Sequence, residues 1–155
     1  MTQEETIDAI MRVMDRAFDP YWREAWTRQQ VTDSFVLSTT HALLLDAQGE
    51  LAQNPGDTIG FVFSRLVLDE EELLLVAIMP EYRGRQLGKR LIEYSAAASL
   101  TRGATRMFLE MRANNPAERI YRAAGFERIG IRKDYYRTAD GGELDAITFG
   151  KILTK

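Results

Sequence analysis

Between Glu71 and Leu100 the chain reads EELLLVAIMPEYRGRQLGKRLIEYSAAASL, which predicts a strand, a tight turn and a helix. Leu73–Met79 is apolar without alternation, the pattern of a strand buried on both faces of a sheet. Pro80 ends that strand. Glu81–Gly88 forms the turn, and the helix then continues to about Leu100.

The turn and the first helical residues form a potential anion site. Backbone N–H groups at the start of a helix lack intrahelical acceptors and therefore attract anions. Two glycines and four basic side chains lie in this segment: Gly84, Gly88, Arg83, Arg85, Lys89 and Arg90. We predict that the turn holds a phosphate or pyrophosphate. The alternative is an ordinary strand-to-helix turn with a basic, solvated rim.

Composition narrows the possible functions. A length of 155 residues, with 45% hydrophobic and 28% charged residues, predicts a single globular domain over residues 1–155. The absence of cysteine excludes thiolate metal sites and a cysteine nucleophile, and a single histidine argues against a metal site. A net charge of −3 argues against nucleic-acid binding. Without a long apolar run or a signal-like N terminus, we expect a cytoplasmic protein with no membrane partner.

The segments that precede this unit predict two helices and then strands. Thr2–Phe18 has apolar residues at helical spacing behind a capping-box pattern, and Thr27–Ser34 begins with a second capping box. Phe35–Leu37 and His41–Asp46 are interpreted as strands.

Further strands are predicted on both sides of the central unit. Thr58–Leu68 is predicted as a strand that pairs antiparallel with Leu73–Met79, and the four acids Asp69–Glu72 are predicted to form the solvated turn between them. Thr105–Met111 is predicted as the next strand. Because a helix separates it from Leu73–Met79, the two strands should be parallel.

The last third predicts a short helix and two strands. Asn115–Glu118 has asparagine at the N-cap, proline at N1 and glutamate at N3. Phe126–Lys133 and Asp145–Leu153 are predicted as strands. The element order αα-βββ-α-β-α-ββ predicts an α/β (α+β) fold, a mixed sheet of six to seven strands with helices on both faces.

Ligands of open α/β sheets bind beyond the carboxyl ends of parallel strands. Here that point brings together the anion turn, Glu110, Asn114, Asn115 and Tyr121. Each also has a purely structural interpretation, as a salt-bridge partner, a helix cap or a core aromatic. The Walker A spacing and the G-x-G-x-x-G fingerprint are both absent, which leaves a phosphate-bearing cofactor held by backbone amides without a metal.

These residues carry a resemblance to a known family. VAIMPEYRGRQLG (76–88) resembles the acetyl-CoA motif of the GNAT superfamily of N-acetyltransferases, and LEMRANNP (109–116) with YRAAGF (121–126) resembles its second half. GIRKDYY (130–136) with ADG (139–141) is similar to the RimI type, which acetylates the N terminus of a bacterial ribosomal protein. The resemblance covers roughly residues 58–150.

The resemblance implies roles for individual residues. Glu110 would be the general base and Tyr121 the general acid. The family's asparagine maps to Asn115 counting forward from Glu110, or to Asn114 counting back from Tyr121, and we assign Asn115. Acetyl-CoA would be bound by Val76, Ala77, Ile78, Arg83, Gly84, Arg85, Gln86, Leu87, Gly88, Lys89 and Asn115. Gln86 replaces a glycine of the family pattern, a change that we expect to be tolerated if its backbone is right-handed helical.

Without cysteine, direct attack of an amine on the thioester is the simplest mechanism. An α-amino group, with a pKa of ~8, is easier to deprotonate at neutral pH than a lysine at ~10.4. We therefore predict an acetyl-CoA-dependent N-acetyltransferase acting on a protein N terminus, with a ribosomal protein as the implied partner. The alternatives are acetylation of a small amine and a catalytically inactive CoA-binding regulatory module.

Overall fold

The structure, a computed structural model, describes residues 1–154. Within that range the helices and strands follow the predicted order. They are α1 (Gln3–Ala17), α2 (Arg28–Phe35), β1 (Thr40–Asp46), β2 (Thr58–Val67), β3 (Glu70–Ile78), α3 (Leu87–Thr101), β4 (Arg106–Arg112), α4 (Glu118–Ala123), β5 (Glu127–Arg137) and β6 (Glu143–Ile152).

The strands form one six-stranded sheet in the order β1-β2-β3-β4-β6-β5. β3 and β4 are parallel, as predicted for strands joined by a helix, and all other neighbours are antiparallel. α1 and α3 both contact β2 and β3, while α2 packs beside α1 and α4 beside α3. The two helix pairs therefore cover opposite faces, and the predicted fold class is confirmed.

Reciprocal side-chain caps define where the first two helices begin. The Thr2 hydroxyl accepts from the Glu5 amide at 3.1 Å, and the Glu5 carboxylate accepts from the Thr2 amide at 2.9 Å. Thr27 and Gln30 make the same exchange at 3.2 and 2.8 Å. Each cap contributes about 1 kcal/mol. Both capping-box predictions are confirmed.

The predicted strand at Phe35–Leu37 is wrong. Phe35 ends α2, and the chain continues as a turn in which the Val36 amide donates to the Asp33 carbonyl at 3.3 Å. The Phe35 ring packs edge-on against Phe63, 5.1 Å between centroids, while Val36 is 81% exposed. The apolar run Phe35–Leu37 therefore ends helix α2 and makes one aromatic contact with the core, instead of pairing with a strand.

The prediction that Asp69–Glu72 is a solvated turn holds only for Asp69, which is exposed in the turn between β2 and β3. β3 begins at Glu70, and Glu71 is completely buried. Its Oε1 accepts from Arg102 at 3.2 Å (Nε) and 2.7 Å (Nη2). An ionised carboxylate is buried only with a partner, and Arg102, at the C-cap of α3, supplies it from 31 positions away.

None of the helices in residues 1–154 is long and apolar enough to span a membrane.

Candidate active site

The two parallel strands separate and open a cleft between them. β3 pairs with β4 only from Glu70–Leu73 to Arg106–Leu109. Beyond these pairs β3 continues to Ile78 along β2, and β4 continues to Arg112 along β6. The β4-facing edge of β3 along Val76–Ile78 is therefore left without a strand partner. Apart from the Ile78 carbonyl, which accepts from Arg83 at 3.2 Å, the backbone groups on this edge are available to an extended ligand.

The predicted anion turn lies at the carboxyl end of β3. A short 3-10 turn, Pro80–Tyr82, leads into Gly84 at φ +80°, a left-handed conformation that glycine adopts without strain. Leu87, Gly88 and Lys89 then form the first turn of α3, where amides have no acceptor one turn earlier. The first amide that bonds back is that of Arg90, to the Gln86 carbonyl at 3.1 Å.

The backbone of Gln86 is not right-handed helical, the condition under which we expected the glutamine to be tolerated. Its φ and ψ are 61° and 16°, which is left-handed, and its side chain makes no capping hydrogen bond. The backbone thus keeps the conformation that a glycine would adopt, although the residue is a glutamine. The geometry of the turn is imposed by its surroundings, at a cost of about 1–2 kcal/mol for an L residue.

This strain predicts the outcome of two substitutions. Gln86→Gly should be more stable than Gln86→Ala by about 1 kcal/mol, because glycine removes the left-handed penalty and alanine retains it. Thermal or urea unfolding of the two variants measures the difference. Equal stability of the two variants would show that the left-handed conformation at residue 86 carries no strain.

The basic side chains of the turn differ in the groups that they contact. The Arg83 guanidinium donates to the backbone carbonyls of Ala17, at 2.8 Å, and Ile78, at 3.2 Å, so this side chain ties the turn to α1. Arg85 lies over the Tyr82 ring, 5.4 Å from its centroid. Arg85 and Lys89 line a cavity of about 440 Å³ beside the turn, where they can meet an anion.

Glu110 stands on the β4 wall of the cleft. It pairs with Thr148 of β6, and its side chain is 21% exposed. Its Oε2 lies 3.3 Å from the Nε of Arg132 on β5. A half-buried carboxylate at the mouth of the open edge is accessible to a reacting group.

Tyr121 lies in α4 and is buried, with its ring 5.9 Å from that of Phe126. Burial raises the pKa of the Tyr121 hydroxyl, and the negative charge of Glu24 raises it further. The group is therefore protonated at neutral pH and can only donate a proton there.

The two asparagines after β4 have structural contacts. Asn114 has φ +66°, and its carbonyl accepts from Arg112 Nη1 at 3.0 Å. The Asn115 carbonyl oxygen Oδ1 accepts from the Ala117 amide at 2.9 Å. The N-cap of α4 is Ala117 rather than the predicted Asn115, because Asn115 closes a turn just before the helix. Which asparagine meets a ligand stays a prediction.

Three further residues of the cleft, Tyr136, Arg112 and Glu24, have no predicted role in the chemistry. Burial and the charges of Glu110 and Glu24 raise the pKa of Tyr136 to about 12. Arg112, buried on the Glu110 strand, stacks over Trp22 at 3.8 Å and lies 3.4 Å from Glu24. The partners lie far apart in the chain, so no local sequence pattern indicates these contacts.

Hydrogen bonds join two loops that lie far apart in the sequence. The Ala139 amide donates to the Tyr21 carbonyl at 3.0 Å, and the Tyr21 hydroxyl donates to Asp140 at 3.0 Å. Hydrogen bonds from Thr138, the Gly142 amide and Tyr21 lower the pKa of Asp140. The bridge connects the segment before α2 to the β5–β6 loop, at one side of the cleft.

Residues 1–154 contain no group of three or more acidic, histidine or cysteine side chains that could hold a metal ion.

Comparisons with known proteins agree with this geometry. Residues 43–128 match the model of the acetyltransferase (GNAT) domain. The chain is 39% identical over 99 residues to ribosomal protein bS18-alanine N-acetyltransferase of Escherichia coli K12, a match that covers 63% of this chain and 66% of that protein. It is 30% identical over 141 residues to the putative bS18-alanine N-acetyltransferase of Bacillus subtilis 168, covering 90% of this chain and 85% of that protein.

A solved structure extends the similarity over the whole chain. The crystal structure of the ribosomal-protein-S18-alanine N-acetyltransferase from E. coli superposes with a TM-score of 0.80 at 28% identity, covering 100% of this chain and 92% of that one. The sequence match spans just under two thirds of the E. coli enzyme's length. Since the domain model covers more than half of the residues, the chain belongs to the acetyltransferase (GNAT) family.

Proposed function

We propose that the protein transfers the acetyl group of acetyl-CoA directly to the N-terminal α-amino group of a protein, in the cytoplasm. The observation that carries this proposal is the cleft between β3 and β4, with an amide-rich turn at one end and Glu110 on its wall. The names of the relatives, which specify alanine of ribosomal protein bS18, support a ribosomal protein as the acceptor.

The donor would bind along the open edge of β3. The edge of Val76–Ile78 that faces away from β2 has no strand partner, so an extended amide-containing arm can bond there as a neighbouring strand would. The turn Gly84–Lys89 would hold the pyrophosphate on its amides, with Arg85 and Lys89 adding charge. A backbone N–H near Ile78 would polarise the thioester carbonyl.

Glu110 would act as the base. The amine attacks the thioester carbonyl with its lone pair, forms the new C–N bond and gives one proton to the Glu110 carboxylate, directly or through water. An α-amino group with a pKa of ~8 needs a base of only modest strength.

Tyr121 would act as the acid. As the C–S bond breaks, the hydroxyl gives its proton to the leaving thiolate, whose conjugate acid has a pKa of ~8.5 by analogy with cysteine. Its buried environment keeps the hydroxyl protonated until that step.

Tyr121→Phe should lower kcat by about 10²-fold, with little effect on the Kd of acetyl-CoA, because only proton donation is lost. Steady-state kinetics and calorimetric titration measure the two quantities. Tyr136→Phe is the matched variant, since Tyr136 is a half-buried tyrosine whose pKa is raised by burial, Glu110 and Glu24. A larger loss of kcat in Tyr136→Phe than in Tyr121→Phe would transfer the acid role to Tyr136.

The acceptor class is tested with three sets of substrates. Purified protein and acetyl-CoA are incubated with alanine-starting peptides, with N-terminally blocked peptides that contain lysine, and with small amines, and the products are measured by mass. We expect acetylation of the free N termini. Preferred acetylation of small amines would contradict the proposal, and acetyl-CoA binding without any product would indicate a binding module.

A further inference from the structure

A bulge interrupts the pairing of β5 with β6 beside the cleft. Arg132 pairs with Ala146, and the next pair joins Tyr136 to Leu144. Four steps along β5 therefore match two steps along β6, which means that β5 carries two extra residues here. Bulges bend a strand and redirect its side chains, and they occur frequently next to active sites.

The bulge decides where Tyr136 lies. If regular pairing continued from Arg132, Tyr136 would lie opposite Gly142, beyond the start of β6. The two extra residues place it opposite Leu144 instead. That position is about 7 Å closer, along the strand, to the pair that Arg132 forms with β6.

The bulge also keeps Tyr136 on the face of the sheet that carries the proposed base. Glu110 pairs with Thr148, two positions from Ala146 on β6, so Glu110 and Arg132 share one face. An insertion of two residues restores the alternation, and Tyr136 leaves β5 on that same face. Arg132 Nε lies 3.3 Å from Glu110 Oε2, and the charge of Glu110 contributes to the raised pKa of Tyr136.

Asp145 holds the bulge from the neighbouring strand. It is the single residue of β6 that stands opposite Lys133–Tyr135. Asp134, in the middle of this segment, has φ +54°, a left-handed conformation that costs an L residue free energy. Its amide donates to Asp145 Oδ1 at 2.9 Å, a hydrogen bond to a carboxylate. The Asp145 carbonyl accepts from the Ala113 amide at 2.8 Å, just after β4. Asp145 thus joins the bulge to the end of the strand that carries the proposed base.

We propose that Asp145 is a positioning residue, which holds the β5 bulge and thereby sets the places of Tyr136 and Arg132 relative to Glu110. The proposal rests on the proposed function, in which the acceptor reacts at Glu110. Asp145 does not touch the reacting groups. It is adjacent to Ala146, so its side chain leaves β6 on the opposite face.

Asp145→Ala removes the acceptor of the Asp134 amide. We expect kcat/KM for an alanine-starting peptide to fall about 10- to 100-fold, because a displacement of about 1 Å near reacting groups can cost 10²-fold. The KM for acetyl-CoA should stay within about two-fold of wild type, since the donor edge belongs to β3. Asp145→Asn keeps an oxygen acceptor and should stay within about three-fold of wild type in both quantities.

Glu143→Ala is the matched control. It removes another carboxylate of β6, one that pairs with Arg137 outside the bulge. Both kinetic quantities should be unchanged in this variant.

A double variant tests the bulge itself. Glycine adopts a left-handed backbone without strain, so Asp134→Gly combined with Asp145→Ala should recover part of the lost kcat/KM. Nuclear magnetic resonance supplies a readout that needs no substrate. In Asp145→Ala the Asp134 amide should exchange with solvent at least about 10-fold faster, since its acceptor is gone, and the ring resonances of Tyr136 should shift. In Asp145→Asn both should stay as in wild type.

Three kinetic outcomes would overturn the assignment. They are an unchanged kcat/KM in Asp145→Ala, an equal change in the KM for acetyl-CoA, and an Asp145→Asn protein as impaired as Asp145→Ala. If wild type acetylates no peptide, the proposed function fails. The exchange of the Asp134 amide and the ring resonances of Tyr136 then decide by themselves whether Asp145 holds the bulge.

Discussion

Replacing Glu110 with glutamine should lower kcat for peptide acetylation by about 10²- to 10⁴-fold at neutral pH, the usual contribution of a general base. Glutamine fills the same space beside Arg132 but cannot accept the proton of the attacking amine. The residual rate should rise with pH through about 8, because above the pKa of an α-amino group the amine is already neutral. A pH series of kcat for both proteins measures the difference.

The control for this experiment is an ion pair between the neighbouring strands β5 and β6. Glu143→Gln removes the carboxylate that lies 3.2 Å from Arg137, and both side chains of this pair are exposed. It should leave kcat unchanged, and the Kd of acetyl-CoA should be similar in all three proteins. A Glu110→Gln protein with full turnover at neutral pH would remove Glu110 from the base role.

Replacing Arg102 with methionine should lower the free energy of unfolding by about 3–5 kcal/mol, the cost of leaving a buried charge unpaired. Glu71 is fully buried, its Oε1 relies on Arg102, and its Oε2 has no hydrogen-bond partner. Methionine keeps the apolar stem of the arginine but supplies no charge. Urea unfolding with an unchanged m-value measures the loss.

A neighbouring ion pair provides the comparison. Arg65 lies 2.7 Å from Glu72, the same distance as between Arg102 and Glu71. Both side chains of the Arg65–Glu72 pair are partly exposed. Arg65→Met should therefore cost less than about 1 kcal/mol. The double variant Glu71→Gln, Arg102→Met should recover part of the loss, since it removes the unpaired charge. Equal losses in the free energy of unfolding for Arg65→Met and Arg102→Met would contradict the claim that burial of Glu71 makes its ion pair the more important one.

The helices and most strands could be predicted because their signals are local. Thr2 and Glu5 lie three positions apart, and periodicity identifies the buried face of α1 without knowledge of its partners. The acids Asp69–Glu72 show the limit of such signals. Nothing near Glu71 in the sequence indicates that its charge is neutralised by Arg102, so the most economical local interpretation was a solvated turn.

The residues of the site also divide into those with a local sequence signal and those positioned by long-range contacts. Glu110, Tyr121 and the glycine-bearing turn fall in segments whose pattern resembles a family, and they could be named from the sequence. Glu24 joins the cleft only because the segment before α2 folds against Arg112. The left-handed backbone of Gln86 could not be predicted for a different reason, since a residue's chemistry gives only a preference and the surrounding turn overrides it.

The early end of the β3–β4 pairing has a mechanical consequence. Four residue pairs join two three-stranded halves, β1-β2-β3 and β4-β6-β5. The first half carries the turn proposed to hold the acyl donor, and the second carries Glu110, the proposed base, together with Arg132 and Tyr136. In the proposed reaction the relative alignment of donor and acceptor is thus a property of one short seam, Glu70–Leu73 against Arg106–Leu109. A change in the angle at this seam would alter the reacting distance without altering any residue that touches either substrate.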